Sequence, residues 1–116
     1  MPDTSQDLHK KLLGKKGERL AERYLRKQGY QLLKRNFRTP YGEADLIFSL
    51  GDEVVFVEVK TRSDSSFAEA RVAVNHEKQE RYRKIALFFG GGDEPNARFD
   101  VVEVYPDKIV HIKNAF

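Results

Sequence analysis

The chain has 116 residues, of which 40% are apolar and 11% aromatic, and this length suits one domain with a single core. It contains no cysteine, which excludes disulfides, thiolate metal sites and cysteine nucleophiles. No apolar run approaches the ~18 residues of a membrane span, and the polar first residues lack the apolar segment of a signal peptide, so we expect a cytoplasmic location.

The net charge is only +3, but the basic residues are concentrated in the first third of the chain. Between Lys10 and Arg38 there are eleven Lys or Arg residues and only two acids, Glu18 and Glu22. This asymmetry favours a polyanionic partner such as DNA. A solvated helix surface is the alternative interpretation.

The first predicted element is a helix from Asp7 to Gln28, preceded by a loose terminus over residues 1–6. Its apolar face recurs at spacings of three and four residues and comprises Leu13, Gly17, Leu20, Ala21, Tyr24 and Leu25. Gly29 suits the position that follows a helix C-terminus. Glu18 lies at the margin of the apolar face, from which it can point along the core boundary towards a sheet.

A first strand is predicted from Tyr30 to Phe37. Alternation places Tyr30, Leu32 and Lys34 on one face of this strand, and the opposite face would carry Leu33, Arg35 and Phe37. The segment 38–42 contains proline and glycine and is expected to form a turn.

The next segment predicts a β-hairpin. Two apolar runs, 46–50 and 54–59, flank the Gly-Asp dipeptide at 51–52. A glycine in the first central position suits a two-residue type II′ turn. This turn fixes the register of the two strands, so that Phe48 should pair with Val55.

The same register opposes two carboxylates, Asp45 and Glu58, and places Lys60 on their face of the sheet. Like charges across a strand pair repel one another, and half-buried carboxylates lose hydration. Mg²⁺ or Mn²⁺ would offset this cost, since both ions prefer hard oxygen ligands, and the carbonyl of Val59 is a further candidate ligand. Lys60 would orient the attacking water or stabilise an anionic transition state. A simple ion pair between Glu58 and Lys60 is the alternative.

After the hairpin, residues 63–66 are expected to form a polar loop and residues 67–74 a short helix or turn. Asn75 is a good N-cap for a helix from His76 to Phe89. The inner face of that helix is predicted to consist of Tyr82, Ile85, Ala86 and Phe89. The glycine-rich run 90–95 ends it.

Two strands, over residues 97–105 and 108–113, complete the chain. The resulting order α-β-β-β-α-β-β predicts an α/β fold with a mixed central sheet flanked by helices. Asp100 is expected to belong to a buried network, and Glu103 to ordinary strand alternation. The three histidines lack metal-ligand spacing, and no function is assigned to them.

Three basic residues are candidates for nucleic-acid binding. Arg38 at a strand end and Lys78 and Arg81 on the second helix could contact phosphates. Solvated charge is the alternative for each of them. Glu43 would oppose Lys60 in the predicted register, where it would form a salt bridge or support the site.

The spacing of Asp45, Glu58 and Lys60 resembles the PD-(D/E)XK signature of the restriction-endonuclease-like nucleases, with Ala44 in place of the proline. A wider set of motifs resembles the uncharacterised bacterial YraN family within that superfamily. These motifs are Gly17-Glu18, Asn36-Phe37-Arg38, the segment from Tyr41 to Ile47, Val57 to Arg62, and Arg98 to Val102.

This resemblance implies a restriction-endonuclease-like fold and metal-dependent cleavage of DNA, including branched or structured DNA. The layout is similar to that of the archaeal Holliday-junction resolvases, in which a glutamate of the first helix joins the strand carboxylates. By this resemblance, the catalytic set would be Glu18, Asp45, Glu58 and Lys60. One alternative is a DNA-binding module that keeps the fold without turnover, and another is a structural or partner-binding domain whose carboxylates bind nothing. Paired cuts would require a two-fold homodimer.

Overall fold

The structure is a computed structural model that describes residues 4–62, 76–92 and 96–115, with side chains described from residue 12 onwards. The polar loop predicted at 63–66, the short helix or turn predicted at 67–74, and the N-cap Asn75 lie outside these residues. So do the first three residues of the predicted loose terminus.

In the part of the chain that the structure describes, two helices and five strands follow one another in the predicted order α-β-β-β-α-β-β, which confirms the mixed α/β fold class. Their bounds are α1 Thr4–Lys27, β1 Gln31–Thr39, β2 Gly42–Leu50, β3 Glu53–Thr61, α2 His76–Phe89, β4 Ala97–Val104 and β5 Ile109–Ile112. Residues 4–6, predicted to be loose, are helical because they contain no proline or glycine and extend an established helix at little cost. Within the described residues, neither helix is long and apolar enough to cross a membrane.

The strands form one sheet in the order β1-β2-β3-β4-β5. Among the described strands, β3 and β4 pair in parallel and the other neighbours are antiparallel. The helix α2 lies between β3 and β4 along the chain. One face of the sheet packs against α1, where Leu25 contacts a cluster containing Phe48 and Val57. The other face packs against α2, where Ile85 joins a cluster containing Ile47 and Phe56. The result is a three-layer arrangement of helix, sheet and helix.

The predicted hairpin register is confirmed for the five residue pairs nearest the turn, and the predicted pair of Asp45 and Glu58 lies one step beyond the last of them. The strands β2 and β3 pair from Leu46 with Val57 to Leu50 with Glu53. Gly51 has a φ of 61°, and the residue after it is not among the residues with positive φ. Positive φ at the first central position alone is the signature of a type II′ turn.

The predicted alternation along β1 is wrong at two places, of which the first is a β-bulge. Leu32 pairs with Phe48, but Lys34 pairs with Ile47, so Leu33 is an extra residue in this strand. Leu32 and Lys34 therefore lie on opposite faces of the sheet. The bulge moves the basic side chain to the face on which α2 packs.

The second departure is at Asn36, which has a left-handed φ of 49°. Arg35, before it, bonds Glu22 of α1, whereas Phe37, after it, packs against Phe89 of α2. These two side chains were predicted to share a face. The left-handed residue between them turns the strand, because it breaks the regular extended backbone.

The turn between β1 and β2 is shorter than the predicted turn at 38–42. Thr39 pairs with Gly42 at the end of the two strands, which leaves two residues in the turn. The hydroxyl of Thr39 donates to the carbonyl of Gly42 at 2.8 Å and accepts from the amide of Tyr41 at 3.0 Å. These bonds close the turn and keep Arg38 within the strand.

Candidate active site

The candidate site lies where β2 and β3 separate. Their backbone pairing ends at Leu46 and Val57. One step further, the amide of Val59 donates to Oδ2 of Asp45 at 2.8 Å. In a regular antiparallel ladder this amide would bond a backbone carbonyl of the neighbouring strand. The side chain of Asp45 therefore replaces a ladder bond, and the backbone of β3 fixes its orientation.

Glu58 lies beside this point on β3, and its side chain is only 13% exposed. Its Oε1 atom is 2.7 Å from Nζ of Lys78 and 3.5 Å from Nζ of Lys60. Its Oε2 atom is buried and has no hydrogen-bond partner within the described part of the chain. A buried carboxylate oxygen without a partner is costly, so this atom is where a ligand would be stabilising.

The predicted sharing of one face agrees with the packing of β3 for Glu58 and Lys60. Phe56 packs in the cluster with α2, and Glu58 and Lys60 follow it at spacings of two and four on the same strand. Burial raises the pKa of the Tyr82 phenol of α2, and the charges of Glu58 and Asp45 raise it further. Both carboxylates are therefore close enough to α2 to act on this ring, which stays protonated.

Asp45 is surrounded by negative charge. Burial raises its pKa to about 6, although the hydrogen bond from Val59 opposes that change. The charges of Glu18, Glu58 and Glu43 contribute to this increase in the pKa. Repulsion of this kind requires nearby carboxylates, so the helix glutamate and the strand carboxylates form one electrostatic cluster.

Glu18 reaches this cluster because α1 lies very close to β3. A Cβ atom at Gly17 would overlap the hydroxyl of Thr61, so only glycine permits this approach. The next residue, Glu18, accepts a hydrogen bond from Nδ2 of Asn36 at 3.2 Å. The helix contact and the left-handed turn of β1 together place Glu18 at the edge of the sheet.

Among residues 4–62, 76–92 and 96–115, no three Asp, Glu, His or Cys side chains are arranged to hold a metal ion as they stand. Asp45 and Glu58 nevertheless fit Mg²⁺, which proteins usually bind through one or two carboxylates together with water and substrate phosphate. The unpartnered Oε2 of Glu58 is the atom that a cation would satisfy. The amide of Val59 is used by Asp45, and the role of its carbonyl as a ligand stays a prediction.

The three residues predicted to contact phosphates lie in different settings. Lys78 is drawn into the site by Glu58, and its side chain is 18% exposed. Arg38 is 85% exposed and lies 3.8 Å from Glu43, which therefore has a partner on β1 and not the predicted lysine. Arg81 lies beside the turn between β1 and β2. The contacts of all three with phosphate stay predictions.

Glu103 is a carboxylate beside the site that sequence reasoning missed. It is fully buried on β4 and pairs with Lys60 in the parallel register, so the two side chains share a face. Its Oε2 atom lies 3.4 Å from both the guanidinium of Arg62 and the hydroxyl of Tyr105. The sequence signal was the repetition of the Val-Glu-Val tripeptide at 57–59 and 102–104, which resembled ordinary strand alternation.

Asp100 belongs to a separate network on the α1 face, as predicted. Its carboxylate accepts two bonds from Arg98 at 2.8 and 2.9 Å and one from the amide of Asn114 at 2.9 Å. It also lies 2.7 Å from Nε2 of His111, and Arg98 contacts the hydroxyl of Tyr30. Burial alone would raise the pKa of Asp100, but these hydrogen bonds outweigh burial and lower it.

Comparisons with known proteins connect this geometry to a family. The model of the uncharacterised protein family UPF0102 matches residues 17–104, the segment that contains all four predicted catalytic residues. A UPF0102 protein of Thermodesulfovibrio yellowstonii is 44% identical over 106 residues, covering 90% of this chain and 95% of the relative. A UPF0102 protein of Geobacter sulfurreducens is 41% identical over 124 residues, covering 100% and 97%. The chain therefore belongs to the UPF0102, or YraN, family, as its motifs predicted.

Proposed function

We propose that this protein is a Mg²⁺- or Mn²⁺-dependent nuclease that hydrolyses phosphodiester bonds of DNA, including branched or structured DNA. The observation that carries the proposal is the buried Oε2 of Glu58, which has no hydrogen-bond partner among the described residues. It lies near Asp45, and the pKa of Asp45 is raised to about 6. The described ion pairs of Lys60 and Lys78 are both with Oε1 of Glu58, so these pairs do not compensate the charge at Oε2 and at Asp45. A hard divalent cation would compensate this charge, and the pattern resembles the PD-(D/E)XK arrangement.

Asp45 and Glu58 would hold the metal, with the carbonyl of Val59 as a further ligand. A bound metal would supply an activated water and would neutralise charge that develops on the phosphate. The amide of Val59 keeps Asp45 oriented before the metal arrives, which lowers the cost of binding. Glu18 adds negative charge from α1 and would attract the cation or position a water.

The two lysines at Glu58 would have different roles. Lys78 is 2.7 Å from Oε1 and mostly buried, so it would stay bound to the carboxylate. Lys60 is 3.5 Å from the same atom and 42% exposed, so it could reach a phosphate. An ammonium at this place would stabilise the anionic transition state of phosphodiester hydrolysis.

The surface of α1 would attract the polyanion. A groove along this helix is lined by Glu22 and by five basic residues, Arg19, Arg23, Arg26, Lys27 and Arg35. Arg35 bonds Glu22 at 2.7 Å and, with Arg26, holds the pKa of that carboxyl below its ordinary value. The remaining basic charges are exposed and would bind phosphates in a salt-dependent manner.

The test is cleavage of single-stranded, duplex, flapped and four-way-junction DNA with Mg²⁺ or Mn²⁺. Asp45→Ala, Glu58→Ala and Lys60→Ala should each lower the rate about a hundredfold or more. The matched controls are Asp107→Asn and Lys113→Ala, which change exposed residues next to β5, the edge strand opposite β1. Cleavage by the triple variant in a contaminant-free assay would contradict the proposal.

A second candidate function is a DNA-binding module without turnover. It is favoured by the two lysines at Glu58, which already balance the charge of one carboxylate oxygen without a metal. Such a module would bind DNA with an affinity that falls with salt and is unchanged by EDTA. The cleavage assay separates the two functions, since the module forms no product.

The number of sites sets a further expectation for the nuclease. One site cuts one strand at a time, so paired cuts at a junction would require a two-fold homodimer. Sedimentation of the protein with and without a four-way junction would show whether a dimer forms. Paired cuts made by a monomer would contradict this expectation.

A further inference from the structure

An exposed patch beside the candidate site combines aromatic and basic side chains. We call it the aromatic–basic patch, and it comprises Tyr41, Lys84, Leu87 and Phe88. Tyr41 and Phe88 are each 48% exposed and Leu87 is 40% exposed, which is unusual for side chains of this size. With Lys84 and the glycines after α2 they line a groove of about 380 Å³. This volume lies within the range of roughly 300–1,000 Å³ that is typical of ligand sites.

The rings of Phe88 and Tyr41 are each oriented by a contact with a neighbouring side chain. The ring of Phe88 packs against Phe37 of β1, with their centroids 6.1 Å apart. The ammonium of Lys84 lies 5.7 Å from the centroid of Tyr41, close enough for a cation–π interaction. The patch therefore presents ordered aromatic surface next to a positive charge.

A basic ridge on α2 connects the candidate active site to this patch. Lys78 contacts Glu58 at one end of the ridge. One turn further, the side chain of Arg81 lies against Gly42, where a Cβ atom would be only 2.9 Å from Cδ of the arginine. Lys84 follows on the next turn. At 1.5 Å per residue, the ridge from residue 78 to residue 88 spans roughly 15 Å, about the length of four stacked nucleotides.

Charge complementarity points to a polynucleotide as the occupant. Arg81 and Lys84 are exposed on the ridge, and Arg38 is 85% exposed on the neighbouring strand. Glu43 lies 3.8 Å from Arg38, and this ion pair partly balances the negative charge of the glutamate. Exposed rings that alternate with basic side chains are the composition of surfaces that bind single strands.

We propose that the aromatic–basic patch binds unpaired nucleotides of the substrate, whose bases stack on Tyr41 and Phe88 while Arg81 and Lys84 contact the phosphates. Bases within a duplex already stack on one another and cannot offer a face to these rings, so the patch would select single-stranded segments. The inference rests on the proposed function in taking a polynucleotide as the ligand. It adds that the segment bound beside the site is unpaired.

The test measures binding without metal, so that its failure is distinct from a failure of cleavage. A fluorescent oligo-dT and a duplex of equal length are titrated in EDTA with the wild type, Tyr41→Ala and Phe88→Ala. Each variant should weaken oligo-dT binding about five- to a hundredfold and leave duplex binding unchanged. Tyr41→Phe keeps the ring, and Leu12→Ala removes an exposed apolar side chain of α1, so both controls should bind as the wild type does.

A second readout detects stacking directly. A 2-aminopurine base in the oligonucleotide should be quenched by the wild type and by Tyr41→Phe, and less by Tyr41→Ala. Equal losses for oligo-dT and duplex, or no loss for either, would overturn the proposal. So would a change in sedimentation of the alanine variants without a change in oligo-dT binding, since it would identify the patch as a protein-binding surface.

Discussion

Two aspartates of the sheet, Asp100 on β4 and Asp45 on β2, differ in how their charge is compensated. Asp100 accepts hydrogen bonds from Arg98 and Asn114 and contacts His111, and its pKa is lowered despite burial. Asp45 accepts one hydrogen bond among those described, from Val59, and its pKa is raised to about 6 by burial and by neighbouring carboxylates. The fold supplies positive partners to one aspartate and further negative charge to the other.

This difference separates a structural carboxylate from a candidate functional one. A buried acid whose partners come with the fold contributes to stability in the protein alone. A half-buried acid beside other acids reduces stability until a cation or ligand arrives, and such cost is commonly retained at functional sites. The same Asp→Asn substitution at the two positions should therefore have effects of opposite sign.

The largest effect is expected from Asp100→Asn. This substitution removes the fully buried charge of Asp100 from beside the guanidinium of Arg98, whose side chain is 16% exposed. Breaking a buried pair typically costs about 3–5 kcal/mol. Because the pKa of Asp100 is lowered by folding, its contribution is present above the unfolded pKa of about 3.9 and is lost as the pH falls through the folded value. Urea unfolding at neutral and at acidic pH measures the loss of stability and its dependence on pH. If Asp100→Asn were as stable as the wild type at pH 7, the carboxylate of Asp100 would not be structural.

The second effect is stabilisation by metal. A ligand that binds only the folded state raises the free energy of unfolding by about 2.7 kcal/mol at a hundred times its dissociation constant. Mn²⁺ should therefore raise the melting temperature of the wild type but not of Asp45→Asn or Glu58→Gln. Asp100→Asn is the matched control. Its melting temperature without metal should be lower than that of the wild type, but Mn²⁺ should raise it by the same amount. A shift that survives in Asp45→Asn would show that the ion binds elsewhere.

The third effect is a gain of stability in metal-free Asp45→Asn. The unfolded pKa is about 3.9 and the folded pKa about 6, so the unfolded chain releases its proton first and stability falls as the pH rises between these values. Removal of the charge should restore about 2–3 kcal/mol at pH 7, while the amide oxygen can still accept from Val59. Unfolding measured from pH 4 to pH 7 should show a flatter profile for the variant. A loss of stability in Asp45→Asn at pH 7 would contradict the inference that the charge of Asp45 destabilises the metal-free protein.

The carboxylate site on the hairpin could be predicted from the sequence because its geometry is local. The dipeptide 51–52 determines the turn, and the turn determines the register. The register brings Asp45 and Glu58 to the point where the paired ladder ends, one step beyond Leu46 and Val57. The bounds of α2 were also predicted at both ends, from the periodicity of its inner face and the glycines that follow it. Each of these inferences needs only neighbouring residues.

The remaining features depend on contacts between distant parts of the chain. Leu33 bulges and Asn36 turns in a strand at the edge of the sheet, where weak alternation does not specify the face of each residue. Lys78 is twenty residues from Glu58, and His111 meets Asp100 only because β4 and β5 pair. Local patterns carry no information about such partners, which packing selects.

The smallest effect tests the electrostatic cluster itself. Glu43→Gln should lower the pKa of Asp45, but by an amount worth less than about 1 kcal/mol, because the glutamate is exposed to solvent and lies beside Arg38. Glu18→Gln should lower it more, since the charge of Glu18 acts more strongly on Asp45. Carbon-13 titration of the aspartate carboxyls measures both variants and provides its own control in Asp100, which belongs to the separate network of Arg98 and His111 and should not respond. If Glu43→Gln moved the pKa of Asp45 more than Glu18→Gln did, the helix glutamate would not belong to the cluster.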